Sequence, residues 1–237
     1  MKKLSALLVL LFIVGVCVAL WQISRSRTYQ FFGQLVAHVN TSQRVVALTF
    51  DDGPTPSATG EILSILKDEQ IHATFFVIGG ELETNMAEAK RIVSAGHELG
   101  NHTYSHERML LVSPSFVKQE IESTDKLIRE AGYQGEILFR PPYGKKLFTL
   151  PYYLSKTSRK SITWDIEPDS YPELAASSDK IAEHVLAKTQ PGSIILLHVM
   201  YPSGRESMKA VRKIVDGLKA QGYSFKTVSE LLALAHQ

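Results

Sequence analysis

Val45-Val46-Ala47-Leu48-Thr49-Phe50-Asp51-Asp52-Gly53-Pro54 is an apolar, β-branched run that ends in two adjacent carboxylates and a Gly-Pro turn. Its length and closing turn predict a buried strand over 45–50. Such a strand end cannot bury two unpaired carboxylates, because each loses its hydration. The pair therefore needs a cation, a proton or a reaction. Successive side chains of an extended chain point to opposite sides. One of the two, Asp51 or Asp52, can thus hold a metal ion while its neighbour faces a substrate.

Outward from this strand, helical and extended patterns alternate. Ser57–Glu69, Leu82–Ala95, Pro114–Ala131 and Met208–Ala220 read as helices, with a further helix at the C-terminus. Ala73–Ile78, Glu98–Asn101, Ile137–Arg140, Lys160–Trp164, Ser193–His198 and Ser224–Val228 read as strands. Alternation of this kind implies a parallel sheet or barrel. Reactive groups in such folds gather at the C-terminal ends of the strands. Asp51 and Asp52, His102, Arg140, Asp165 and His198 fall at the ends of five different predicted strands.

With 237 residues, 44% hydrophobic and 21% charged, the chain is long enough for one full core. Its only cysteine, Cys17, lies in an uncharged stretch over residues 4–21 that follows Lys2 and Lys3. That stretch is just long enough to span a bilayer, and it also fits a secretory signal. Either reading takes the remainder out of the cytoplasm, although Arg25 and Arg27 weaken the charge asymmetry that sets orientation. The expected organisation is an anchor or signal over 1–28, a connector over 29–43 and one globular domain over 44–237. The formal charge of +2 comes from the N-terminal segment. Without Lys2, Lys3, Arg25 and Arg27, 22 basic residues face 24 acidic ones, which gives no support for nucleic-acid binding.

Two further stretches carry chemistry. In His102-Thr103-Tyr104-Ser105-His106 the imidazoles are four residues apart, and on a helical turn they would share a face. Joined by Asp52 they make a His₂Asp set with an open position, the composition of a catalytic zinc site. Arg140-Pro141-Pro142-Tyr143-Gly144 is a stiff turn at a strand end, where Arg140 is placed to pair with a carboxylate such as Asp51. Ile194-Ile195-Leu196-Leu197-His198 ends an apolar strand in a histidine, which is either a satisfied core residue or an acid/base group.

In this order, TFDDGP (49–54), HTYSH (102–106), RPPYG (140–144), the Trp164-Asp165 region and LLH (196–198) resemble the polysaccharide deacetylases with the NodB homology domain, carbohydrate esterase family 4. The resemblance extends over about residues 44–230. It implies a distorted (β/α) barrel of about seven strands, preceded here by an apolar N-terminal helix. It also implies metal-dependent removal of N-acetyl groups from amino sugars of an acetylated glycan. Asp51 would be the general base and Arg140 its orienting partner. Asp52, His102 and His106 would hold a divalent metal, zinc first, with cobalt or nickel as alternatives. The backbone N–H near Tyr143, in the turn shaped by Pro142 and Gly144, would receive the oxyanion, and Tyr143 would line the sugar site. His198 would be the general acid.

One motif departs from the family pattern Trp-x-x-Asp-x-x-Asp-Trp. Here the chain reads Trp164-Asp165-Ile166-Glu167-Pro168-Asp169-Ser170-Tyr171. The carboxylate that tunes His198 is therefore Asp169 after a one-residue shift, Asp165, or absent. An O-acetyl esterase for xylan-type polymers uses the same residues, and a non-catalytic, membrane-anchored glycan-binding protein is the alternative from another class. The expected enzyme is a membrane-attached monomer that acts outside the cytoplasm.

Overall fold

Strand Val45–Asp51 is buried along its whole length, as expected of a parallel strand covered on both faces. The structure, a computed structural model, describes residues 2–235. Met1, His236 and Gln237, at the ends of the expected 1–28 and 44–237 segments, lie outside the described residues. The strands are β1 (Leu35–Val36), β2 (Val45–Asp51), β3 (Thr74–Val77), β4 (Glu98–Asn101), β5 (Ser161–Ile162), β6 (Ile194–His198) and β7 (Ser224–Lys226). Parallel ladders join them in the order β4-β3-β2-β6, and β7 pairs with the first half of β2.

Single bridges complete the ring. Asn101 pairs with Phe139, Phe139 with Ser161 of β5, and Ile166 with Ile195 of β6. The fold is thus a (β/α) barrel, regular on one side and reduced to isolated bridges on the other. The expected strand over 137–140 shrinks to the single residue Phe139, bridged on both sides, because Pro141 and Pro142 carry no N–H to extend a ladder. The expected helix over 82–95 is instead two helices, Gly79–Thr84 and Met86–Ser94, divided at Asn85. Helices at Thr149–Lys156, Pro172–Ala175 and Ser178–Lys188 were not anticipated from the sequence.

Alternation along β2 sorts its side chains. Val46, Leu48 and Phe50 face outward and join the outer core with Ile62, Leu66, Val211 and Ile214 of the covering helices. Val45 and Ala47 face inward with Phe76, Ile162, Trp164 and Leu196. Thr49 and Asp51 continue the inward set, so Asp51 enters the barrel interior at the C-terminal end of its strand.

The helix Lys2–Ser24 stands apart from this body. Leu4–Ser24 has mean hydropathy 2.8 and is long and apolar enough to cross a membrane. Its last turn docks on the domain. The Lys146 N–H donates to the Ser24 carbonyl (3.0 Å), the buried Lys146 ammonium donates to the Ser26 carbonyl, and Thr163 Oγ1 donates to the Arg27 carbonyl (2.6 Å).

Candidate active site

Arg140 lies across the barrel interior and is fully buried. Its Nη1 donates to Thr49 Oγ1 (2.8 Å) and Asp51 Oδ1 (2.6 Å), and its Nη2 to the Thr163 carbonyl (3.1 Å). The ring of Phe76 lies 4.0 Å from the guanidinium carbon. Thr49 and Asp51 meet the same cation because they are two residues apart on one strand face. Burial pushes the Asp51 carboxyl up, but the charges of Arg140, His102 and His198 outweigh it and hold the group below its ordinary value. Asp51 is therefore an oriented carboxylate at neutral pH.

Asp52 faces elsewhere. Its φ of +75° turns the chain sharply after Asp51, a strained geometry that clusters at functional sites. Ligand atoms of Asp52, His102 and His106 lie within 4.8 Å of one another. His106 Nε2 is 3.4 Å and His102 Nε2 is 3.9 Å from Asp52 Oδ1. That oxygen is buried and has no hydrogen-bond partner among the described residues. His102 Nδ1 is 2.8 Å from the Arg140 carbonyl, which fixes the proton on Nδ1 and leaves the Nε2 lone pair between Asp51 Oδ2 (3.6 Å) and Asp52 Oδ1. Burial first, then the proximity of the His102 ring, holds the His106 pKa down, so its imidazole stays neutral and able to ligate. An orphaned carboxylate oxygen facing two imidazole lone pairs fits a divalent metal. The two histidines are not on a helix as the spacing suggested. They meet, with ring centres 5.0 Å apart, because Thr103 (φ +67°) and His106 (φ +59°) fold the segment into a left-handed loop.

His198 ends β6 opposite Asp51. Its Nδ1 lies 3.2 Å from Asp169 Oδ1, and its backbone N–H donates to Asp169 Oδ2 (2.6 Å). Ser207 Oγ also donates to Asp169 Oδ2 (2.8 Å). Burial alone would lower the His198 pKa; Asp169, with Asp51 and Asp52 behind it, raises it to about 9. Gly204 permits this arrangement, since a Cβ there would lie 2.0 Å from the His198 carbonyl oxygen. Asp165 is not part of the site. Its carboxylate accepts from the Ile194 N–H (2.8 Å) and Ser193 Oγ (2.7 Å) at the opposite end of β6, and meets His38 Nδ1 at 2.9 Å.

Asp51, Asp52, His102, His106 and His198 share a cleft of about 500 Å³ with Tyr143, Gly144, Trp164 and Glu167. Tyr143 (φ +57°) is exposed, 4.8 Å from the His106 ring; Pro142 is buried in the same turn. Glu167, which with Ser170 and Tyr171 departs from the family motif, accepts from Trp164 Nε1 (2.8 Å), Ser170 Oγ (2.7 Å) and Arg27 Nη2 (2.5 Å). Arg25 and Arg27 also line the cleft, a role that sequence reasoning missed. The only sequence signal was two arginines directly after an apolar span.

The family model for polysaccharide deacetylases matches residues 38–176. The chain belongs to the polysaccharide deacetylase family. It is 32% identical over 204 residues to a peptidoglycan-N-acetylglucosamine deacetylase of Bacillus cereus, covering 86% of this chain and 95% of that one. A chitooligosaccharide deacetylase of Bradyrhizobium is 31% identical, with 79% and 90% covered. Among solved structures, a peptidoglycan N-acetylglucosamine deacetylase in complex with 4-naphthalen-1-yl-N-oxidanyl-benzamide superposes with a TM-score of 0.78, at 32% identity over 83% of this chain and 92% of that one. A family pseudoenzyme from Bacillus anthracis also superposes, with a TM-score of 0.75, 27% identity and 84% and 69% covered. Family membership alone therefore does not guarantee turnover. In this polysaccharide deacetylase an oriented carboxylate, a metal-competent cluster and a charged histidine converge on one cleft.

Proposed function

We propose that this deacetylase removes N-acetyl groups from amino sugars of an envelope glycan, with zinc as its metal. The observation that carries the reading is the orphaned Asp52 Oδ1 facing His102 and His106, set between the oriented Asp51 carboxylate and the charged His198 imidazole. Asp52, His102 and His106 hold the metal. When bound, the metal supplies Lewis-acid chemistry: it polarises an acyl carbonyl and lowers the pKa of a water from about 15.7 toward about 7. Asp51, fixed by Arg140, takes the proton of the attacking water. The Tyr143 N–H receives the developing oxyanion; the turn itself uses the N–H groups of Gly144 and Lys145 instead. Tyr143 stacks on the sugar. His198, with Nδ1 held by Asp169, gives the Nε2 proton to the departing amine. The products are acetate and a free amino sugar.

In this reading 1–28 is a retained anchor, 29–43 a connector and 44–237 the catalytic domain, working as a monomer outside the cytoplasm. The apolar Leu4–Ser24 helix supports the attachment. The test is acetate release by the full-length, zinc-loaded protein from chitin oligomers, peptidoglycan fragments and acetylxylan. Release from N-acetylated glycans is expected, with Asp51→Asn slower by about 10²–10⁴-fold. Release from acetylxylan alone, or a fully active Asp51→Asn variant, sinks the reading.

A further inference from the structure

We propose that Arg25, Arg108 and Lys145 form a subsite for a phosphoryl group, and that the substrate is a lipid-phosphate-linked, membrane-tethered acetamido sugar; this rests on the deacetylase reading above. Arg25 and Lys145 line the same cleft as the Asp-His-His cluster. The Arg108 guanidinium lies 4.9 Å over the Tyr143 ring, which in turn packs on His106. The three cations therefore border the path from the reacting centre to the helix exit.

None of the three makes an ion pair among the described residues. Arg27 does, with Glu167 (2.5 Å). Glu107, beside Arg108 in the chain, is exposed and makes no ion pair among the described residues. Lys145 Nζ sits 4.6 Å over the Trp21 ring, and burial together with the charges of Arg25 and Arg108 lowers its pKa. Arg25 and Arg108 are thus close enough to Lys145 for their charges to act on it, and none of the three has an ion-pair partner among the described residues. A neutral polysaccharide has no use for such a group of cations. Phosphate oxygens do, since the arginine fork matches them in geometry and charge.

Position narrows the source. At 1.5 Å per residue, the 21 residues of Leu4–Ser24 reach about 31 Å, the whole hydrocarbon thickness of a bilayer. Ser24 is already buried against the domain, so no slack separates the span from the cleft. The cleft opens at headgroup level, where a glycan carries its lipid phosphate.

The test compares full-length enzyme in nanodiscs on two substrates, a polyprenyl-diphosphate-linked N-acetylglucosamine and neutral chitotetraose. The readout is the ratio of their kcat/KM values. The expected result is a preference for the phosphoryl-linked substrate that falls about tenfold in Arg25→Glu or Lys145→Glu, and further in the double variant. It should also weaken with salt. Equal losses on both substrates, or no preference in the wild type, overturn the subsite alone. So does a preference that follows the phosphatidylglycerol content of the nanodisc instead of the substrate phosphate, which assigns the cations to bilayer headgroups. No acetate release from either substrate overturns the deacetylase reading and the subsite together.

Discussion

Replacing Arg140 by methionine should be costly in a way that identifies the cause. The guanidinium is fully buried and answers Thr49 Oγ1, Asp51 Oδ1 and the Thr163 carbonyl. Methionine fills similar volume but leaves the buried Asp51 carboxylate without its cation. Breaking a buried pair on one side costs about 3–5 kcal/mol, a large share of a typical stability of about 5–15 kcal/mol. Asp51→Asn alone strands the arginine instead. In the double variant neither charge is left alone, so its loss should be smaller than the sum of the singles by at least about 2 kcal/mol. The sign of the pH dependence is also fixed. With Arg140 present the folded-state pKa of Asp51 is depressed, so its contribution is present above the unfolded pKa and lost as pH falls through the folded one. Without Arg140 the largest group that depresses this pKa is gone, and burial pushes the folded value up. The penalty of the single variant therefore grows as pH rises through and above the carboxylate range. Urea unfolding of the full-length protein in detergent, followed by tryptophan fluorescence, measures both quantities; Trp164 lies 5.4 Å from the Arg140 guanidinium. Additive losses, or a penalty independent of pH, would refute the reasoning.

Three other outcomes follow from the site. Asp52→Ala should abolish stoichiometric zinc binding, read by metal analysis after dialysis, and reduce kcat to the level of chelated wild type. Asp169→Asn removes the main group that raises the His198 pKa to about 9. The acid form is lost as pH rises through that value, so the alkaline limb of kcat should move down by about one unit or more in the variant. Gly204→Ala places a Cβ 2.0 Å from the His198 carbonyl oxygen and should lower stability by about 1–3 kcal/mol in urea unfolding, with a loss of activity from the displaced imidazole.

The sequence made the strand-end chemistry legible because its signals are local. An apolar run that stops at Asp-Asp declares both the strand and its electrostatic problem, and His102, Arg140 and His198 sit where parallel-strand logic puts reactive groups. Long-range pairings were less visible. Asp165 and Asp169 have the same chemistry and lie one and five residues after Trp164. Only the turn over Pro168–Ser170 decides that Asp169 reaches His198 while Asp165 caps Ile194. The histidine spacing suggested a helix, whereas two positive-φ residues, Thr103 and His106, do the work. Irregular strands of one residue, as at Phe139, have no periodicity to detect. The docking of Arg27 on Glu167 joins residues 140 positions apart, and neither residue reveals its partner.

That docking bears on how the enzyme is handled at the bench. Trimming the chain at residue 29 for solubility would delete the partners of Lys146 and Glu167 and admit solvent to a wall that the intact molecule keeps closed. Inhibitors selected against such a fragment would be fitted to a wider, wetter groove than the one the full chain presents.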